Sequence, residues 1–329
     1  MGAHGPQRWV GDWSRKRAAL SPDEVGLVDA TTGEEFRYAE LDRRATRCAR
    51  FLAAHGVTKR EGDRAEDGEG PGDGAVGGRV AVVSRNRPAF VDLFFATGKT
   101  GGVLAPVSHR LATAELAELL DAVDPALLVV EEPFADDVAD ALDREAFAGD
   151  PALCSLPVDG EHTWEPYDAA VDAAAGGSGA DDRDEPAYDG PTVAPGDAHL
   201  FLHTGGSTGT PKETVVSHEA VVWNSLNTVA AWGLRDDDVT PMVFPMFHTG
   251  GWNVLTVPLF HMGGEVVIAR EFDPGTVLEL VDERGATVLV AVPAVLRMMA
   301  NHDDWERTDL STLRFVKSGG GPCREAVME

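Results

Sequence analysis

Residues 203–213 read HTGGSTGTPKE, and the reading of this stretch decides the fold. Glycine and proline weaken helices and strands, while Ser and Thr tend to bond nearby backbone, so the run forms a loop. Just before it, AHLFLH (198–203) is a short apolar run suited to a buried strand. Just after it, SHEAVVWNSLNTVAAWG (217–233) reads as a helix with Val221, Leu226 and Val229 among its apolar residues. A glycine-rich loop where a buried strand ends is where open α/β sheets take their ligands. Glycines let backbone N–H groups approach an anion, Ser207 and Thr208 add hydroxyl donors, and Lys212 adds a mobile positive charge. Together these suit a polyphosphate. The loop differs from G-x-x-x-x-G-K-[ST], because Thr210 and Pro211 separate Gly209 from Lys212. That spacing argues against a kinase or motor ATPase.

Outward from the loop, the same alternation runs through the chain. RVAVVS (79–84), GVLAPV (102–107) and ALLVV (126–130) read as buried strands, separated by helices over 88–98 and 113–123. Beyond the loop, strands are expected over 239–244, 264–269, 286–292 and 313–320, with helices over 274–284 and 293–301. FHTGGW (247–252) reads as a loop. Buried strands alternating with amphipathic helices predict an α/β fold with parallel sheets covered on both faces. A helix around Leu41–Leu52 puts Cys48 on its apolar side, stopped by Gly56. Residues 60–79 are Gly- and acid-rich and read as a solvated insertion; residues 157–197 read as a loop or linker. That linker places a boundary between a first lobe, 1–196, and a second lobe with the phosphate loop, 197–329.

Composition narrows the partners. The chain holds 55 Asp plus Glu against 28 Lys plus Arg, a net charge of −27, with only five lysines. Such a surface repels nucleic acid and anionic membrane. Self-repulsion on this scale fades when salt shortens the Debye length to ~3 Å at 1 M. The acidity is spread along the whole chain, which favours a halophile-like, salt-rich cytoplasm over a local acidic site for a basic partner. Cys48, Cys154 and Cys323 have neither metal-knuckle nor redox-pair spacing. No apolar run reaches the ~20 residues of a membrane span, and the N-terminus lacks a signal-peptide core. A cytoplasmic location is expected.

LHTGGSTGTPKETVVSH resembles the phosphate-loop signature of adenylate-forming enzymes, T-S-G-T-T-G-x-P-K-G, the family of acyl-CoA synthetases, luciferases and peptide-synthetase adenylation domains. Thr204, Gly206, Ser207, Thr208, Gly209, Pro211 and Lys212 match it; Gly205 replaces a small hydroxyl residue and Glu213 replaces a glycine. GKTGGVLAPVSHRLATAEL (98–116), FPMFHTGG (244–251), VLVAVPAVLRMM (288–299) and LRFVKSGGGPC (313–323) resemble further family segments in the family's order.

The resemblance implies two mostly parallel sheets flanked by helices, the N-terminal domain of such enzymes, with the C-terminal lid domain absent. It implies ATP, Mg²⁺ and coenzyme A as cofactors, and a carboxylic acid joined to AMP and then passed to the thiol. Thr204, Gly205, Gly206, Ser207, Thr208, Gly209 and Lys212 would hold the phosphates, with Thr208 and Lys212 in direct contact. His248 would sit near the acyl carboxylate, Gly250 and Gly251 would allow close approach of substrate, and Trp252 would form pocket wall or core. Gly319, Gly320 and Gly321 would shape the adenine and acyl pockets. The Mg²⁺ ligand, the ribose-binding aspartate and the lid lysine belong to family segments not found here, so no metal ligand is assigned. Alone, the chain is expected to be inactive or nearly so, needing a separate C-terminal half; a homo-oligomer, a non-catalytic nucleotide- or acyl-binding fragment and a gene remnant are the alternatives.

Overall fold

A computed structural model describes residues 9–59, 76–175, 187–204 and 212–322. Helix α1 (Trp13–Leu20) precedes a hairpin of β1 (Val25–Asp29) and β2 (Glu35–Arg37), then helix α2 (Tyr38–Ala54). There follow β3 (Arg79–Val83), α3 (Ala89–Thr100), β4 (Val103–Val107), α4 (Thr113–Val123), β5 (Leu127–Glu131), α5 (Ala135–Leu142), β6 (Ala152–Leu156), β7 (Glu165–Pro166) and α6 (Tyr167–Ala174). The second half runs β8 (Ala198–Thr204), β9 (Lys212–Ser217), α7 (His218–Trp232), β10 (Val239–Met242), α8 (Gly250–Asn253), α9 (Thr256–Met262) and β11 (Glu265–Ile268). Helix α10 (Pro274–Arg284), β12 (Val288–Ala291), α11 (Pro293–Ala300) and β13 (Phe315–Ser318) complete it.

Contacts divide the chain into two units: Met1–Leu20 with Ala39–Arg85 and Ala89–Trp223, and Ser21–Tyr38 with Asn86–Pro88 and Asn224–Glu329. This division differs from the junction expected at 196/197. Strand β8 pairs with β4 through Leu104↔Leu200, which draws β8 and β9 into the first unit's sheet. Strand β1 pairs with β11, which draws residues 21–38 into the second unit.

The first unit is built on a seven-stranded sheet ordered β7-β6-β5-β3-β4-β8-β9. Its pairings are parallel except β8 with β9. Every residue of β4 and β5 is buried, as a parallel strand covered on both faces requires. Helix α3 is buried along its whole length, Asp92 and Lys99 included. Those charges survive burial because each is paired. Arg44 donates to both carboxylate oxygens of Asp92 at 2.9 and 2.6 Å, and Lys99 Nζ reaches Asp12 at 2.8 Å and Asp42 at 2.6 Å. Removing one partner of such a pair strands a buried charge, at a cost of about 3–5 kcal/mol.

The 157–197 stretch is less of a linker than its composition suggests. Its residues 165–174 form β7 and α6, because Tyr167, Ala170 and Val171 recur at helical spacing and are buried. The Tyr167 hydroxyl lies 3.1 Å from Cys48 Sγ, and burial pushes the thiol's pKa well up. Cys48 is a core residue, as its helical position predicts. Residues 60–75 and Cys323 lie outside the described residues.

A buried histidine pair sits at the amino end of β8. His199 and the first residue of α7, His218, stack with ring centroids 4.1 Å apart, and Phe94 meets His199 edge-on at 4.5 Å. None of the four ring nitrogens has a hydrogen-bond partner among the described residues. Burial pushes both pKa values down, His218 to about 4, against the opposing pull of Asp197. A depressed histidine costs nothing above its unfolded pKa of about 6.5 and destabilises as pH falls below it. At ~1.4 kcal/mol per pH unit, His218 alone removes about 3 kcal/mol between pH 6.5 and 4. Urea midpoints measured across that window are expected to fall steeply, and less steeply in His218→Gln.

In the second unit, four strands order as β10-β11-β1-β2, parallel apart from β1 with β2, and β12 and β13 form a parallel pair. The expected two mostly parallel sheets are therefore present, the second divided into these two parts. Thr287 ties the parts together. Its N–H donates to the Val239 carbonyl at 2.9 Å, and its hydroxyl donates to Asp238 at 2.7 Å. Arg314 Nε donates to the same carboxylate at 2.9 Å. Of residues 247–252, read as a loop, Gly250, Gly251 and Trp252 instead belong to the short helix α8, and α9 follows with Pro258 in its first turn, where proline is tolerated. Among the described residues, no helix is long and apolar enough to cross a membrane.

Candidate active site

Strand β8 is apolar, and Leu200, Phe201 and Leu202 are buried. It lies between β4 and β9, and its antiparallel ladder with β9 runs to Leu202↔Thr214, His203↔Glu213 and Thr204↔Lys212. That last pair brackets residues 205–211. Gly205, Gly206, Ser207, Thr208 and Gly209 lie outside the described residues, and for Thr204 and Lys212 the structure describes the backbone. The bracketing pair stands at the carboxyl end of β8, the end of a parallel sheet at which ligands are held. His203, next to Thr204, has no hydrogen-bond partner for either ring nitrogen among the described residues, and burial pushes its pKa down to about 4. It is neutral at pH 7.

The same edge of the sheet carries a charged cluster that the sequence reading passed over. Glu131, the last residue of β5, is fully buried. It accepts from the Arg85 N–H at 2.8 Å, from Arg85 Nη2 at 2.9 Å and from Ser84 Oγ at 3.3 Å. Phe134 stacks on His109 with centroids 4.8 Å apart, and the Arg85 guanidinium lies 5.9 Å from the Phe134 centroid. The available signal was positional: Arg85 follows β3, His109 follows β4 and Glu131 closes β5, so all three stand at carboxyl ends of parallel strands.

In the second unit, His248, Gly250, Gly251 and Trp252 share one turn. His248 is exposed, and its Nδ1 accepts from the Gly250 N–H at 3.4 Å. The 244–246 backbone beside it is clamped from two sides. Asn86 donates to the Phe244 carbonyl at 3.1 Å and accepts from the Met246 N–H at 2.8 Å, while Trp252 Nε1 donates to the Met246 carbonyl at 2.6 Å. Trp252 is fully buried core. The two glycines have a packing reason of their own. A Cβ on Gly251 would lie 2.6 Å from the Pro245 carbonyl oxygen, and one on Gly250 would lie 3.0 Å from the Phe244 ring.

Gly319, Gly320 and Gly321 follow β13 and are exposed. Gly320 is left-handed at φ +74°, and a Cβ there would meet Val292 at 3.2 Å, so the run turns beside the start of α11. A cavity of about 10 Å³ is lined by Thr240, Met242, Phe244, Gly250, Leu255 and Val290. It has room for one water at most. A larger cavity of about 330 Å³ lies at the amino edge of the first unit's sheet, beside Arg79, Asp124 and Asp150, and holds none of the candidate residues. Among the described residues, no cluster of three His, Cys, Asp or Glu could hold a metal ion.

Comparison with known proteins gives these pieces a frame. The model of the AMP-binding enzyme family matches residues 14–329. Feruloyl-CoA synthase of an Amycolatopsis species is 32% identical over 315 residues, which is 95% of this chain and 54% of the relative. Indoleacetate–CoA ligase of Aromatoleum aromaticum is 30% identical over 310 residues, covering 94% of this chain and 54% of the relative. Among solved structures, the inhibitor-bound N-terminal domain of FACL13 from Mycobacterium tuberculosis superposes with a TM-score of 0.75 at 26% identity, over 96% of this chain and 71% of that one. ATP-bound MatB from Rhodopseudomonas palustris superposes with a TM-score of 0.75 at 26% identity, over 97% of this chain and 56% of that one. The chain spans about half the length of the curated relatives it matches. With its family segments in order along the same α/β framework, the chain belongs to the AMP-binding enzyme family.

Proposed function

We propose that this chain is the N-terminal part of an AMP-forming acid–CoA ligase, binding ATP through residues 204–212 and a carboxylic acid beside His248. The observation that carries the reading is the pair Thr204↔Lys212, which brackets a Gly, Ser and Thr segment at the carboxyl end of a parallel-sheet strand. The donor set fits a triphosphate: glycine backbone N–H groups, two hydroxyls and one lysine. ATP supplies the AMP that activates the acid, with pyrophosphate leaving as the carboxylate oxygen bonds to the α-phosphorus. The chain's own residues then have a defined task, because two anions must meet. Lys212 and Thr208 offset phosphate charge, and His248, on an exposed turn held by Asn86 and Trp252, orients the carboxylate. Mg²⁺ would add positive charge that offsets the phosphates, and the coenzyme A thiol would take the acyl group as AMP leaves. The names of the relatives favour aromatic acids, so ferulate and indoleacetate head the substrate panel, followed by fatty acids. The net charge of −27 makes molar salt the first assay condition.

Pyrophosphate exchange into ATP tests the reading, with the chain alone and with the unmatched half of the Amycolatopsis relative added. Acid-dependent exchange that appears or rises on addition supports a ligase half. ATP binding with no exchange in either arm would instead favour a nucleotide-binding fragment.

A further inference from the structure

We propose that His199 and His218 form a proton-operated staple across the base of the β8–β9 hairpin, so that acid opens this hairpin while the rest of the first unit's sheet stays paired.

The hairpin has two ends, both in the first unit. Thr204↔Lys212 closes one, around residues 205–211, and Ala198↔Ser217 closes the other. The register shifts between Ala198 and Leu200, so His199 stands at a bulge, where a ladder is locally disrupted. His218 follows Ser217 directly and begins α7. The two rings thus come from the two sides of the hairpin base and stack across it, with planes 27° apart. His199 is 1% exposed and His218 is fully buried. Helix α3 seals them: Phe94 lies edge-on to His199, and a Cβ on Gly98 would lie 3.7 Å from His199 Cε1. Packing holds the pair, because no ring nitrogen has a hydrogen-bond partner among the described residues.

The closed pair has no place for a proton. An imidazolium donates from both nitrogens, and neither finds an acceptor here. The charges acting on His218 are Asp197, Lys59 and Lys16, and His199 has His218 itself as a neighbour. Asp197, the anion among them, already accepts from Lys59 Nζ at 2.6 Å and from the Ala194 N–H at 2.7 Å. The charges on α3, Asp92 and Lys99, are paired with Arg44 and with Asp12 and Asp42. Opening the base to water returns both rings to ordinary basicity, so below pH ~6.5 proton uptake drives opening. The hairpin is the part of the sheet that can yield locally. Strand β9 is the sheet's edge, and Thr214 and Val215 are exposed. Strand β8 is registered to β4 through Leu104↔Leu200, whereas β3 and β4 are registered from Arg79↔Val103 to Val83↔Val107. Because the same ladder brackets residues 205–211, acid also lowers nucleotide affinity, a consequence that rests on the proposed function as the opening itself does not.

Hydrogen–deuterium exchange of the nucleotide-free full chain, compared between pH 7.5 and 5.5 after correction for intrinsic exchange, tests the staple. Amides of 198–202 and 214–219 are expected to lose protection by about tenfold for each histidine, about 100-fold for the pair, while β3 and β5 keep theirs. His218→Gln should cut the loss to about tenfold, and His199→Gln with His218→Gln should remove it. Circular dichroism confirms that the variants fold; if the double variant does not, His218→Gln carries the test. The staple is overturned by protection that does not change with pH, by an equal loss in β3 and β5, or by a loss of full size in His218→Gln. His203, also buried and neutral, stands at the other end of β8. A loss abolished by His203→Gln would move the effect to that residue and overturn the staple as well. ATP plays no part in this readout, so failure here and failure of the ligase reading remain distinguishable.

Discussion

Lys212→Ala is expected to lower the affinity for Mg·ATP by about 10- to 100-fold while leaving the unfolding midpoint unchanged. A hydrogen bond to a charged group contributes roughly 1.5–3 kcal/mol, which sets that range. The other four lysines already have structural work. Lys99 holds Asp12 and Asp42, Lys59 holds Asp197 at 2.6 Å, Lys16 donates to the Val10 carbonyl at 3.3 Å, and Lys317 lies over Trp232. In a chain this acidic, a lysine at the base of a glycine-rich segment is the natural counter-charge for a polyphosphate. Lys212→Arg retains the charge and should retain most of the affinity, although its planar group suits a different geometry. Titration of ATP against intrinsic fluorescence or by calorimetry measures both variants. Equal affinity in Lys212→Ala would remove this residue from the phosphate site.

Trp252→Ala should produce the largest loss of stability among the candidate-site residues. The side chain is fully buried, and large-to-small changes at buried aromatics cost about 3–5 kcal/mol. The Met246 carbonyl, which accepts from Trp252 Nε1, would also lose its donor, adding about 1 kcal/mol. His248→Ala on the same turn should shift stability by less than about 0.5 kcal/mol, because that side chain is exposed. Urea unfolding separates the two. If His248 orients the acid, His248→Ala weakens acid-dependent exchange at unchanged stability, whereas Trp252→Ala lowers exchange only as the turn unfolds. A Trp252→Ala variant as stable as the parent would contradict the clamp on residues 244–246.

The parts of the fold most legible in the sequence were those whose residues are mostly apolar. Strands β3, β4 and β5 are mostly Val, Leu and Ala and almost wholly buried, and their expected and observed bounds agree within one residue. Helix α10 was equally plain, with Asp273 capping the Thr276 N–H and Gly285 left-handed at its end. Elements with little apolar content were missed. Strand β2 has one buried residue, Phe36, and α6 is mostly alanine and aspartate. The domain division failed for a different reason. Composition marks where the chain is loose, but strand pairing decides which unit an element joins, and the β4–β8 and β1–β11 pairings join residues far apart in sequence.

For the candidate site, the 204–212 segment and the 247–252 turn stand out in the sequence through their glycine, hydroxyl and histidine content. The roles of the glycines were only half legible. Gly251 is required by the backbone of Pro245 and Met246, a contact that no spacing rule reveals. The Arg85–Glu131 cluster was invisible for the same reason, since it forms only when β3 and β5 are laid side by side.

Hydrogen–deuterium exchange with and without Mg·ATP, followed in peptides spanning residues 198–217, tests most directly whether this segment grips the nucleotide. ATP is expected to slow exchange sharply across 204–212, and Lys212→Ala to abolish that protection. Nucleotide bound at saturation, with exchange across 204–212 unchanged and protection arising elsewhere, would contradict it.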